Sequence, residues 1–187
     1  IYQRPLEDGA DIVLHSATKY LGGHNDVLAG AIMTNDAGIY DKLFYNLNTT
    51  GPVLSPFDSY LLLRGLKTLA LRMERSTQNA QEVVAFLKQS PAVKEVLYPG
   101  KGGMISFKVM DEGKIHHLLN SLKVFTFAES LGGVESLITY PTTQTHADIP
   151  VEVRHSYGLT DDLLRLSIGI EDSRDLVDDL RAALENE

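Results

Sequence analysis

Ser16, Thr18 and Lys19 set two hydroxyls and an amine within four residues, directly after the apolar run Ile12-Val13-Leu14. Hydroxyls and local backbone N–H groups where a strand gives out can hold a phosphate, and an amine beside them can form an imine with an electrophilic carbon. A bare Ser-x-Thr-Lys is more often a surface lysine that follows a strand, so the short pattern alone does not mark a site. Arg165 lies between Leu164 and Leu166. A guanidinium among leucines is costly to bury unless an anion meets it, and its planar fork fits a carboxylate with two parallel bonds. Either a protein acid or the α-carboxylate of an amino-acid ligand would serve. A third stretch, Ala128-Glu129-Ser130-Leu131-Gly132-Gly133, offers an acid and a hydroxyl before two glycines. Alone, it reads as a loop between strands. His15 and His24 flank the lysine without metal-ligand spacing and read as structural.

These groups need elements to hold them. Ile12-Val13-Leu14 reads as the end of a strand packed on both faces, as in a parallel sheet covered by helices. Ser55-Pro56-Phe57-Asp58 opens a helix, with a serine cap, proline in the first turn and an acid three residues after the cap. Apolar residues at helical spacing continue from Tyr60 to Leu87, and Gly65 predicts a bend or break. Beyond Ser90-Pro91 strands alternate with helices. Strands are expected over residues 104–109, 123–128 and 163–168. Helices are expected over 114–122 and after a cap at Asp172 or Ser173. The organisation expected is a first part, residues 1–75, ending in a linking helix, and a small α+β domain, residues 76–187.

The run Ser16-Ala17-Thr18-Lys19-Tyr20-Leu21-Gly22-Gly23-His24-Asn25-Asp26 resembles the cofactor-lysine motif of the fold-type I pyridoxal phosphate (PLP) enzymes of cysteine and methionine metabolism. The likeness extends to the Arg165-Leu166-Ser167-Ile168-Gly169 ending and covers the chain. It implies an α/β fold, here the end of the large, mostly parallel-sheet, PLP-binding domain followed by a C-terminal α+β domain. It also implies PLP as cofactor, with Lys19 as anchor and acid–base and Ser16 and Thr18 at the phosphate. Arg165 would hold the substrate α-carboxylate with Thr145 as neighbour. Ser130 would lie near the lysine and that carboxylate, and Glu129 would border the substrate's distal arm. Tyr20 and His146 read as packing residues.

The activity so implied is a carbon–sulfur lyase that cleaves cystathionine or a related thioether amino acid by elimination. The alternatives are a cystathionine γ-synthase and a catalytically inactive remnant domain. A cytoplasmic homotetramer of tight dimers acting on a small amino-acid substrate completes the expectation. In the family, the acid at the pyridine nitrogen, the ring-stacking aromatic and the glycine-containing phosphate loop precede the lysine. The sequence therefore reads as the C-terminal half of something longer. At Tyr98-Pro99-Gly100-Lys101-Gly102-Gly103-Met104 the family carries a longer, histidine-containing segment. The expectation here is a mobile loop absent from the sequence.

Composition narrows the classes. A net charge of −8 over 187 residues leaves no cationic stripe for a nucleic-acid backbone. With no cysteine there is neither a disulfide framework nor a thiolate metal site. No apolar run approaches the length of a membrane span.

Overall fold

The computed structural model describes residues 1–185. The chain folds as two compact units, Ile1–Ala70 and Leu71–Glu187.

In the first unit, strand β1 (Val13–Ser16) pairs antiparallel with β2 (Gly30–Met33), Ser16 facing Gly30. Between them lie a π-type turn at Ala17–Leu21 and a glycine-bearing loop. Helix α1 (Ala37–Thr50) follows, capped by Asp36, whose Oδ1 accepts from the Ile39 N–H at 2.7 Å, and ended by Gly51 in the left-handed region. Helix α2 (Pro56–Leu66) starts as its sequence predicts: Ser55 Oγ accepts from the Asp58 N–H at 3.1 Å. The doubly packed strand expected at residues 12–14 is not what forms. Ile12 is exposed, Val13 is half-buried and Leu14 is 71% exposed. An apolar run signals burial on two faces only when layers cover both faces, and here β1 is one edge of a two-stranded ribbon.

Helix α3 (Leu69–Leu87) begins after a short turn in which Thr68 Oγ1 donates to the Gly65 carbonyl at 3.2 Å. The anticipated long helical span is thus two helices. The boundary read at residue 75 falls within α3, as does the division between units. The second unit adds β3 (Val93–Leu97), β4 (Met104–Val109), α4 (Ile115–Ser121), β5 (Thr126–Phe127), β6 (Leu137–Thr139), α5 (Val151–Ser156), β7 (Leu163–Ser167) and α6 (Ser173–Glu185). Its sheet runs β3-β4-β7-β6-β5, antiparallel except for the β5–β6 pair.

Alternation builds this core. In β4, Ile105, Phe107 and Val109 are buried while Met104, Ser106 and Lys108 are half-exposed. Register then sets Ile105 opposite Leu166 and Phe107 opposite Leu164. Helix α3 adds Ala80, Val83, Val84 and Leu87, and α6 adds Leu176, Leu180 and Ala183, all at helical spacing. Each such large side chain contributes about 1.5–3 kcal/mol by leaving water.

One expectation changes in this unit. The strand expected over residues 123–128 shrinks to Thr126–Phe127, because the Lys123, Val124 and Phe125 N–H groups all donate to the Asp179 carboxylate, at 2.8, 2.8 and 3.0 Å. Residues 98–104, where the family carries a longer segment, form a closed turn between antiparallel β3 and β4. Gly100 and Gly102 sit at φ of +87° and +78°, where glycine avoids a side-chain clash. Tyr98 Oη donates to the Gly102 carbonyl at 2.9 Å, and the Gly102 N–H donates to Thr77 Oγ1 at 3.1 Å. Among the described residues, no helix is long and apolar enough to cross a membrane.

Candidate active site

Lys19 sits where β1 stops. The Gly22 N–H reaches back to the Ala17 carbonyl at 2.9 Å, and the Gly23 N–H to the Lys19 carbonyl at 2.8 Å. Within this wide turn Lys19 alone leaves helical geometry, at φ −92° and ψ −126°. Its side chain is half-buried while Ala17 before it is fully buried.

The loop that follows is stitched shut by Thr18. Its N–H donates to the Ala29 carbonyl at 3.1 Å, its hydroxyl accepts from the Ala29 N–H at 3.0 Å, and that hydroxyl donates weakly to the Ala29 carbonyl at 3.3 Å. Gly23, at φ +75°, makes the reversal, and His24 Nδ1 bonds to the Gly22 carbonyl at 3.0 Å, the structural role read for it. Ser16 caps the turn in extended conformation, and its exposed side chain makes no cap hydrogen bond to the turn.

Behind this turn lies a residue whose role the sequence did not reveal. A β-carbon on Gly65 would fall 2.2 Å from the Gly22 carbonyl oxygen and 3.0 Å from that of Leu21. Glycine at this point of α2 is therefore a condition for close approach to the lysine turn. A helix break and a close approach leave the same letter in a sequence, so no local signal separates them.

The second constellation surrounds Arg165. Ser106 of β4 and Thr139 of β6 are its register partners on either side. Arg165 Nη2 donates to the Ser130 carbonyl and to Thr139 Oγ1, each at 3.1 Å, and Thr139 Oγ1 donates to the Ala128 carbonyl at 3.0 Å. Ser130 has φ +147°, a sparsely populated conformation for a residue with a side chain, which the surrounding structure must impose. Glu129 beside it is exposed.

A buried polar network fastens the rest of this loop. The Gly132 N–H donates to Ser167 Oγ at 2.8 Å. Glu171 accepts from the Ser136 N–H at one carboxylate oxygen and from Ser136 Oγ at the other, the latter at 2.9 Å. Ser136 Oγ in turn accepts from the Gly169 N–H at 2.9 Å, and Asn79 Nδ2 donates to the carbonyls of Gly169 and Glu171 at 3.1 and 2.9 Å.

Geometry thus brings Ser130 and Arg165 together in one unit, and Ser16, Thr18 and Lys19 together in the other. Thr145, expected beside Arg165, is exposed and its hydroxyl meets His146 Nδ1 at 2.7 Å. His146 accordingly has a partner that the sequence did not indicate. The hydroxyl that meets Arg165 is Thr139, which sequence inspection missed. Only the strand register, invisible before folding, identifies it.

The donor set suits PLP. Two hydroxyls bracket an amine at the end of a strand. One hydroxyl makes no bond to its own turn, and the other gives its proton to a carbonyl at 3.3 Å, a bond weak enough to exchange for a phosphate oxygen. Among the described residues, no group of three His, Asp or Glu side chains could hold a metal ion.

The chain is similar to known proteins over nearly its whole length. The family described as "Cys/Met metabolism PLP-dependent enzyme" matches residues 1–185. The chain is 56% identical over 184 residues to a cystathionine gamma-synthase/O-acetylhomoserine (thiol)-lyase of Bacillus subtilis (strain 168), covering 98% of this chain and 49% of that protein. It is 50% identical to the cystathionine gamma-lyase of the same organism over 201 residues, covering 99% of this chain and 53% of that protein. That second match needs more positions than this chain has residues.

The crystal structure of cystathionine gamma synthase from Xanthomonas oryzae pv. oryzae, in complex with aminoacrylate and cysteine, superimposes with a TM-score of 0.94 at 43% identity, covering 98% of this chain and 52% of that one. The chain spans about half the length of the curated relatives it matches. On a match that runs from its first residue to residue 185, the chain belongs to the Cys/Met metabolism PLP-dependent enzyme family.

Proposed function

We propose that the protein acts at the carbon–sulfur bond of cystathionine or a related thioether amino acid, with PLP as cofactor. The observation that carries this reading is the Lys19 turn, an amine at the one non-helical residue of a closed turn with the hydroxyls of Ser16 and Thr18 beside it. Bound PLP supplies an electron sink for charge developing at the substrate Cα. Lys19 Nζ would anchor the cofactor, and the same amine would take and return the proton at Cα. Ser16 and Thr18 hold the phosphate, Thr18 by turning its hydroxyl away from the Ala29 carbonyl. Arg165 binds the α-carboxylate through a charge-assisted hydrogen bond. Ser130 completes that end of the site, and Glu129 borders the distal arm.

Departure of the thiol by elimination is the lyase reaction. A second reading, γ-replacement on an acyl-homoserine by cysteine, uses the same residues. It draws support from the Bacillus subtilis gamma-synthase/thiol-lyase, whose 184 matched residues cover this chain with no sizeable insertion, unlike the gamma-lyase. The proposal includes a cytoplasmic homotetramer of tight dimers. An inactive remnant has no physical reason to keep the amine, both hydroxyls and the guanidinium.

Borohydride reduction of the PLP-loaded intact protein, followed by peptide mass analysis, tests the chemistry: a pyridoxyl phosphate group on the Lys19 peptide is expected. No adduct would leave the remnant reading standing. Product analysis with cystathionine alone, then with acyl-homoserine plus cysteine, separates lyase from synthase.

A further inference from the structure

Thr139 is 1% exposed at the end of β6, in register with Arg165. A hydroxyl has one proton and two lone pairs. The Thr139 proton goes to the Ala128 carbonyl at 3.0 Å, so toward Arg165 Nη2, at 3.1 Å, this oxygen can only accept. The same Nη2 donates to the Ser130 carbonyl at 3.1 Å. One guanidinium nitrogen thereby joins both ends of the Ala128-Glu129-Ser130 segment, directly at Ser130 and through the Thr139 hydroxyl at Ala128. Ser130, at φ +147°, is the residue of this segment that needs such external restraint.

We propose that Thr139 is a positioning residue for substrate recognition. It fixes the plane of the Arg165 fork and the strained Ser130 loop as one unit, presented to the α-carboxylate of an amino-acid substrate. The inference rests on the reading of Arg165 as the carboxylate anchor. With both Nη2 protons taken by protein acceptors, the carboxylate is met by another N–H of the guanidinium, and the direction of that N–H is set by the plane that the two bonds at Nη2 hold, so a fork held there binds a carboxylate better than one free to swing. The methyl group of valine in place of the hydroxyl would keep the volume and remove both the acceptor for Arg165 and the donor to Ala128.

The test uses the intact PLP-loaded protein as wild type, Thr139→Val, Thr139→Ser and Arg165→Ala. Binding of glycine and of glycinamide, which lacks the carboxylate, is followed by the cofactor absorbance. Thr139→Val should weaken glycine about tenfold and leave glycinamide within about twofold, with Thr139→Ser restoring wild-type binding. In turnover, KM should rise about tenfold while kcat changes less than about threefold.

Arg165→Ala should weaken glycine by about a hundredfold or more. If it does so while Thr139→Val leaves glycine binding intact, Thr139 has no positioning role. Equal losses for glycine and glycinamide would also overturn the inference, since they mark a general structural defect. If Arg165→Ala leaves glycine binding unchanged, the anchor reading falls and takes this inference with it. Should Thr139→Val fail to fold, Thr139→Ala is read by the same criteria.

Discussion

The α-carbon of Gly65 approaches the carbonyl of Gly22 so closely that a β-carbon there would lie 2.2 Å from the oxygen. Helix α2 therefore rests backbone to backbone on the turn that carries Lys19. Alanine in a helix is ordinarily favoured over glycine by roughly 0.5–1 kcal/mol. Here the obstacle is backbone that cannot rotate away, and overpacking of this kind costs on the order of 1–3 kcal/mol. Gly65→Ala should lower the Tm and weaken PLP retention, as read by calorimetry and cofactor absorbance. An unchanged or raised Tm would show that the turn yields.

Ser136 and Glu171 should behave as one unit. Ser136→Ala strands the Gly169 N–H and one carboxylate oxygen, at a cost of about 1–3 kcal/mol. Glu171→Gln keeps one acceptor oxygen and puts an NH2 donor in place of the other, so one of the two bonds from Ser136 is lost. A double-mutant cycle by urea denaturation should give a coupling of about 0.5–3 kcal/mol. Strict additivity would mean that the two side chains act independently.

Asp179 accepts three backbone N–H bonds, from Lys123, Val124 and Phe125. Asp179→Ala leaves these donors without their acceptor, which should cost about 3 kcal/mol or more. Asp179→Asn keeps one acceptor oxygen and should cost less. Denaturant unfolding of both variants checks the order, and equal losses would count against the three-bond account.

Asp162 supplies a pH dependence. Burial pushes its carboxyl pKa up, but hydrogen bonds from Thr160 and Lys94 and the charges of Lys94 and Lys108 outweigh burial, so the pKa lies below the usual aspartate value. The unfolded chain then binds the proton more readily than the folded one. The contribution to stability is complete above the ordinary aspartate value and is lost as pH falls through the lowered one. Asp162→Asn should flatten the acid limb of Tm against pH below about pH 5 and leave the slope above that unchanged. An acid limb as steep as wild type would assign the dependence to other carboxylates.

Alternation in β4, the Ser55 cap of α2 and the apolar stripe of α6 were legible in the sequence because each depends on neighbours a few residues away. Of the two cap candidates, Asp172 and Ser173, it is Asp172 whose Oδ1 accepts a first-turn N–H, that of Arg174, at 2.9 Å. Lys19 with its hydroxyls and Arg165 stood out as candidates by residue type and spacing, and their roles came from the family resemblance. What escaped depends on partners distant in sequence. Thr139 acquires its role only when β6 aligns with β7, and Gly65 only when α2 meets Gly22. Residues 123–125 lose their strand to a carboxylate on α6, and Leu14 looks buried in a list of residues but lies on an open ribbon.

Asp179 also imposes an order in time. Its three donors lie 56, 55 and 54 residues earlier in the chain. Closing a loop of that length costs entropy before any bond forms, so the latch cannot set until α6 has docked. During synthesis the segment after α4 leaves the ribosome well before its acceptor does, and at about 5–20 residues per second it waits several seconds with those N–H groups turned to water.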